Sequence, residues 1–179
     1  MPRYILALVL AAVLAAQAAA GPPVPGERRP VWTDAHVVRQ SHTWSCGAAA
    51  LAALLSVEFG DQMSEQDVLA GLARHTPLDE AMAHNGFSFL ALKRFVEARG
   101  YQATGYARLQ LADLQRLTPL VTPIETDGGL HYVILLDIDD TDVLIADPAA
   151  GLRRVPRPRF EEMWPLRAGM AVVIAVRNQ

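Results

Sequence analysis

The residue pattern predicts an α+β domain, helical in its first half and built on an antiparallel sheet in its second. Three observations carry this expectation. Apolar residues from Cys46 to about Gly100 recur at helical spacing. From Pro119 onward they gather instead into short β-branched runs bounded by Gly, Pro and Asp. Between two of those runs, Asp139-Asp140-Thr141-Asp142 supplies a hairpin turn.

Taken in order, the chain opens with a basic Met1-Pro2-Arg3, an uncharged apolar run from Tyr4 to Ala16, and the small residues Ala18-Ala19-Ala20. That is the pattern of a secretory signal peptide, residues 1–20, with cleavage expected after Ala18 or Ala20. The apolar run falls short of the roughly 20 residues a membrane helix needs, so no membrane span is expected in the mature form. Residues 21–33, rich in Pro and Gly, read as an extended linker. Residues 34–179 then read as one domain.

Within that domain, Cys46 to Phe59 predicts a helix closed by Gly60. Ser64-Glu65-Gln66-Asp67 has the form of a capping box opening a second helix to about Arg74. Thr76 to Gly86 shows no period and reads as irregular. Ser88 caps a third helix carrying Phe89, Leu92, Phe95 and Val96, which Gly100 closes. Tyr101–Tyr106 follows as a short strand and Leu111–Leu117 as a brief helix. Pro119–Glu125, His131–Ile138, Val143–Ala146 and Met170–Val176 read as strands.

Composition narrows the chemistry. The net charge is −3 and no basic patch argues for nucleic acid. Arg153, Arg154, Arg157 and Arg159 cluster, but Pro156, Pro158 and Glu161-Glu162 interrupt them, and a solvated segment is expected. The single cysteine excludes an internal disulfide and any CxxC zinc site. His75 and His84 lack placeable co-ligands, so no metal and no cofactor are expected.

Cys46 stands where the loop Gln40-Ser41-His42-Thr43-Trp44-Ser45 gives way to an alanine-rich helix. Free amides and peptide dipoles at a helix start favour a thiolate, the nucleophilic form. A thiolate that works by covalent catalysis also needs a base, and histidine titrates near working pH. Of five histidines, His131 opens a strand just after the turn Asp127-Gly128-Gly129, with Leu130 between, a rigid and accessible position. The hairpin turn brings the end of the following strand, Asp147-Pro148, back beside its start, so Asp147 is expected near His131. His42 is expected to be exposed, and Trp44 either lines a cleft or joins the core.

Gln40-x5-Cys46-Gly47, His131-Tyr132-Val133-Ile134-Leu135, Leu144-Ile145-Ala146-Asp147-Pro148 and Phe160-x3-Trp164 occur in an order that resembles the C39 peptidase family over about residues 34–177. These are papain-like cysteine peptidases best known as leader-cleaving domains of bacteriocin-exporting ABC transporters. The resemblance implies a papain-like fold, Cys46 as nucleophile, His131 as general base and acid, and Asp147 as the group orienting His131. It implies Gln40 as oxyanion donor beside the backbone N–H of Cys46. Two features depart from the family: Ser45 stands where an acidic residue is frequent, and no GxxxxGK[ST] loop accompanies the domain. The expected function is therefore an exported cysteine peptidase, periplasmic or secreted. Its expected partner is an exported polypeptide substrate, with a fibre or functional-amyloid secretion system as setting. A non-catalytic substrate-binding or chaperone module and a papain-like peptidoglycan hydrolase are the alternatives.

Overall fold

A computed structural model of the chain describes residues 30–164 and 173–177. The signal-peptide reading and the beginning of the last expected strand, residues 170–172, lie outside the described residues.

The helical half is built around α1 (Cys46–Phe59). Every residue from Cys46 to Leu55 is buried, so this helix is apolar on all sides rather than along one stripe. Ala48, Ala49, Ala50, Ala52 and Ala53 let neighbours approach closely: α2 (Glu65–Leu72) and α4 (Phe89–Ala98) on the helical side, two sheet strands on the other. Gly60 ends α1 at φ 69°, a left-handed conformation that glycine adopts without strain. The capping box forms as expected, with Ser64 Oγ accepting from Asp67 N and Asp67 Oδ2 accepting from Ser64 N. Ser88 Oγ likewise accepts from Ala91 N at the start of α4. The segment expected to be irregular contains a short helix, α3 (Leu78–Ala83), started by Pro77 with Asp79 and Glu80 in its first turn.

After β1 (Gln102–Tyr106) and α5 (Leu111–Leu117), the chain forms β2 (Leu120–Thr126), β3 (Gly129–Ile138) and β4 (Asp142–Asp147). Two elements then occupy the arginine-rich stretch, whose arginines keep side-chain surface in solvent as expected. They are β5 (Gly151–Pro156) and α6 (Arg157–Met163). The strand is built from the residues around those arginines. Leu152 and Val155 point to opposite faces and reach different apolar clusters, an alternation that the intervening arginines conceal. Pro158 sits in the first turn of α6, where its missing N–H removes no helical bond.

With β6 (Val173–Arg177) the sheet runs β1-β6-β2-β3-β4-β5, and every neighbouring pair is antiparallel. Its two faces carry separate cores. Val121, Ile134, Leu136 and Ala146 pack with α1, α2 and α4. Leu120, Ile124, Val133, Leu135, Ile145 and Val155 pack with Leu114, Phe160 and Trp164. Among the described residues no helix is long and apolar enough to cross a membrane.

Candidate active site

The site lies where the start of α1 meets the start of β3. Cys46 is the first residue of α1 and buried, and its Sγ accepts from the backbone N–H of Tyr132 at 3.5 Å. The same sulfur lies close enough to the imidazole of His131 to raise its pKa. His131 Nε2 meets Asp147 Oδ1 at 2.7 Å. With Nε2 committed to the carboxylate, Nδ1 is the ring nitrogen left for the sulfur. Cys46, His131 and Asp147 thus gather at one place, although they are separated in sequence by a whole helical half and a hairpin.

A one-residue irregularity in β3 makes this possible. Near the turn Ile138 pairs with Val143 and Asp137 with Leu144, but beyond Leu136 the register shifts, so Leu135 pairs with Ile145 and Ile134 with Ala146. Continuing the shifted register puts Asp147 opposite Val133, on the same face as His131. Without the shift it would stand opposite Ile134, whose side chain points to the other face. The bulge therefore decides whether imidazole and carboxylate share a side.

Asp147 is almost fully buried, at 2 % exposure, and its four acceptor contacts account for that. Oδ1 accepts from His131 and from the backbone N–H groups of Ala149 (2.9 Å) and Ala150 (3.2 Å), while Oδ2 accepts from Arg153 at 2.7 Å. Burial alone would raise its pKa, but the His131 contact, the amides and Arg153 outweigh it and hold the carboxyl at about 2. Burial lowers the pKa of His131, yet the hydrogen bonds and charges of Asp147 and Cys46 prevail and raise it to about 9. Arg153 was concealed by the arginine cluster. The signal was there in the hairpin: Arg153 pairs with Ile145, and so shares a face with Asp147 two residues along.

Gln40 joins this group through its backbone. Its N–H donates to the carbonyl of Pro148, beside Asp147, at 3.0 Å. Its side-chain Nε2 donates to His42 O at 2.8 Å, which leaves one amide hydrogen free, and Oε1 is buried without a partner. Ser45, the departure from the family pattern, is fully buried. Its hydroxyl donates to His42 O and accepts from His42 N, closing the loop into the helix. Trp44 is half-buried, stacked on the exposed His42 ring at 5.1 Å and tilted against Phe87 at 6.1 Å. The strap before Gln40 is fixed as well: Asp34 Oδ1 accepts from Leu152 N, and the Asp34 carboxylate pairs with Arg39. The Leu152 amide, followed by Arg39, holds the Asp34 pKa below the ordinary carboxylate value.

Known proteins resemble this chain in sequence and in fold. The probable functional amyloid protease FapD of Pseudomonas aeruginosa is 36% identical over 179 residues, an alignment covering 92% of this chain and 76% of that protein. The protein of the same name in Pseudomonas fluorescens is 33% identical over 130 residues, covering 73% of this chain and 57% of that one. Among solved structures, a double glycine motif protease from an AMS/PCAT transporter, in complex with the leader peptide, superposes with a TM-score of 0.67 at 20% identity. It covers 88% of this chain and 99% of that one. The peptidase domain of Streptococcus ComA, a bi-functional ABC transporter of a quorum sensing pathway, gives 0.62 at 22% identity over 79% of this chain and 97% of that one. At these identities the two superpositions speak for the papain-like α+β fold. The profile of the Peptidase C39 family matches residues 34–179, and the chain belongs to that family.

Proposed function

We propose that the chain is an exported cysteine peptidase in which Cys46 is the nucleophile, His131 the general base and acid, and Asp147 the group that orients His131. The observation that carries this reading is the meeting of the three side chains: the Cys46 sulfur lies beside the His131 imidazole, whose Nε2 meets Asp147 Oδ1 at 2.7 Å. The sulfur attacks a peptide carbonyl while His131 holds the proton that left it. The oxyanion forms against the free hydrogen of Gln40 Nε2 and the backbone N–H of Cys46, which the first turn of a helix leaves unpaired. Collapse of the intermediate breaks the C–N bond, His131 protonates the leaving amine, and a thioester remains on Cys46. Water, deprotonated by His131, then hydrolyses the thioester and restores the thiol.

The substrate class that fits is an exported polypeptide. The basic start and apolar run of residues 1–20 support export to the periplasm or beyond. The relatives named functional amyloid proteases support a fibre-secretion setting. Two measurements test the proposal. Iodoacetamide should alkylate Cys46 faster than free cysteine at neutral pH, and Cys46→Ala should abolish processing of the exported substrate in cells. A thiol no more reactive than free cysteine, together with a fully functional Cys46→Ala protein, would leave a binding module instead. Mass measurement of the purified periplasmic or secreted protein should give an N-terminus after Ala18 or Ala20, and a full-length cytoplasmic species would refute export.

A further inference from the structure

The catalytic chain makes no use of one buried carboxylate. Glu65, the first residue of α2, is 3 % exposed and makes no ion pair among the described residues. Its two oxygens are turned mainly to one residue of the active-site loop: Ser41 N donates to Oε1 at 2.9 Å and to Oε2 at 3.1 Å, and Ser41 Oγ donates to Oε2, with a longer contact to Oε2 from the neighbouring Gln66 Nε2 at 3.5 Å. A charge buried without a cation is a poor source of stability. What these contacts do is fix the peptide immediately after Gln40 at both its amide and its side chain.

The rest of the loop is braced around the same point. The His42 carbonyl accepts from Gln40 Nε2 and from Ser45 Oγ. Gln40 is held upstream by its backbone bond to Pro148. Between those anchors the Ser41 peptide is the remaining hinge, and Glu65 locks it. We infer that Glu65 is a positioning residue for the oxyanion site, acting through Ser41 to hold the Gln40 amide where the developing oxygen charge will sit. The inference rests on the proposed role of Gln40.

Two probes separate this role from a merely structural one, and neither requires the natural substrate. Acylation of Cys46 by p-nitrophenyl acetate passes through a tetrahedral oxyanion and releases p-nitrophenolate. Alkylation by iodoacetamide displaces iodide at carbon and forms no oxyanion. Since a misplacement of about 1 Å can cost about a hundredfold, Glu65→Gln should slow acylation roughly tenfold to a hundredfold while alkylation stays within about twofold of the parent protein. Ser41→Ala, at an exposed position, removes only the hydroxyl donor and should give a smaller split of the same kind. It carries the test if Glu65→Gln does not fold. Because Glu65 works through Gln40, the double variant Gln40→Ala with Glu65→Gln should acylate no more slowly than Gln40→Ala alone. Equal loss in both reactions, no loss in either, or additive loss in the double variant overturns the inference. Unchanged acylation in Gln40→Ala overturns instead the oxyanion assignment on which it rests.

Discussion

A histidine with a pKa near 9 behaves differently from one near its ordinary 6.5, and in this protein Asp147 makes most of the difference. In the proposed mechanism His131 must carry a proton to the leaving amine, so turnover falls as pH rises through the pKa of that ring. The alkaline limb of kcat is therefore expected near pH 9. Asp147→Asn removes the negative charge that stabilises imidazolium and leaves only a neutral amide oxygen as acceptor, while burial, which disfavours it, remains. The limb should move to lower pH and turnover should fall; a limb unmoved in a pH–rate series would contradict the assignment. Arg153 gives a second prediction. Truncating it to Met leaves Asp147 Oδ2 buried and unpartnered, at a cost of about 1–3 kcal/mol in urea unfolding. Arg154→Met, which loses only an exposed pair with Asp139, should leave the unfolding midpoint close to that of the parent. Cys46, His131 and Asp147 were legible because each combines a reactive type with a boundary position: a helix start, a strand start after glycines, a strand end before proline. Arg153 was not, because a guanidinium surrounded by other arginines has the same appearance in sequence whether it faces solvent or a carboxylate.

The elements show where local signals suffice. Caps are chemical events within four residues, and Ser64, Asp67, Ser88 and Gly60 all act where the sequence puts them. Short elements with mixed patterns gave no such signal: α3 spans only Leu78–Ala83, and the partners of β5 lie on another strand. The β3 bulge was equally hidden, since register is a property of two strands at once. Gly151 opens β5 at φ 94°, and a Cβ there would lie 2.2 Å from Asp34 Oδ1 and 2.4 Å from an Arg39 nitrogen. Gly151→Ala would therefore combine left-handed strain, of about 1–3 kcal/mol, with displacement of the strap leading to Gln40. A lowered melting temperature and slower acylation of Cys46 are both expected; a variant matching its parent in both would show that the strap is not needed.

At the scale of the molecule, the sheet separates two cores, and only one of them touches α1. The far core is closed by Trp164, whose indole N–H donates to Thr122 Oγ1 at 3.1 Å with both residues buried. Thr122→Val keeps the shape and leaves that N–H unpaired, so unfolding should become easier by about 1–3 kcal/mol. The alkylation rate of Cys46 should stay at the parental value, because the lesion lies across the sheet. A change in rate without a change in stability would mean that the two faces are not independent. The general α+β order was readable from the change of period near residue 119; the assignment of strands to a sheet order was not, because it depends on contacts between distant segments. Since sulfur and imidazole are supplied by opposite halves of the chain, thiol reactivity is a gauge of their docking. A partial detachment of the helical layer should silence the thiol while circular dichroism still registers a full complement of helix.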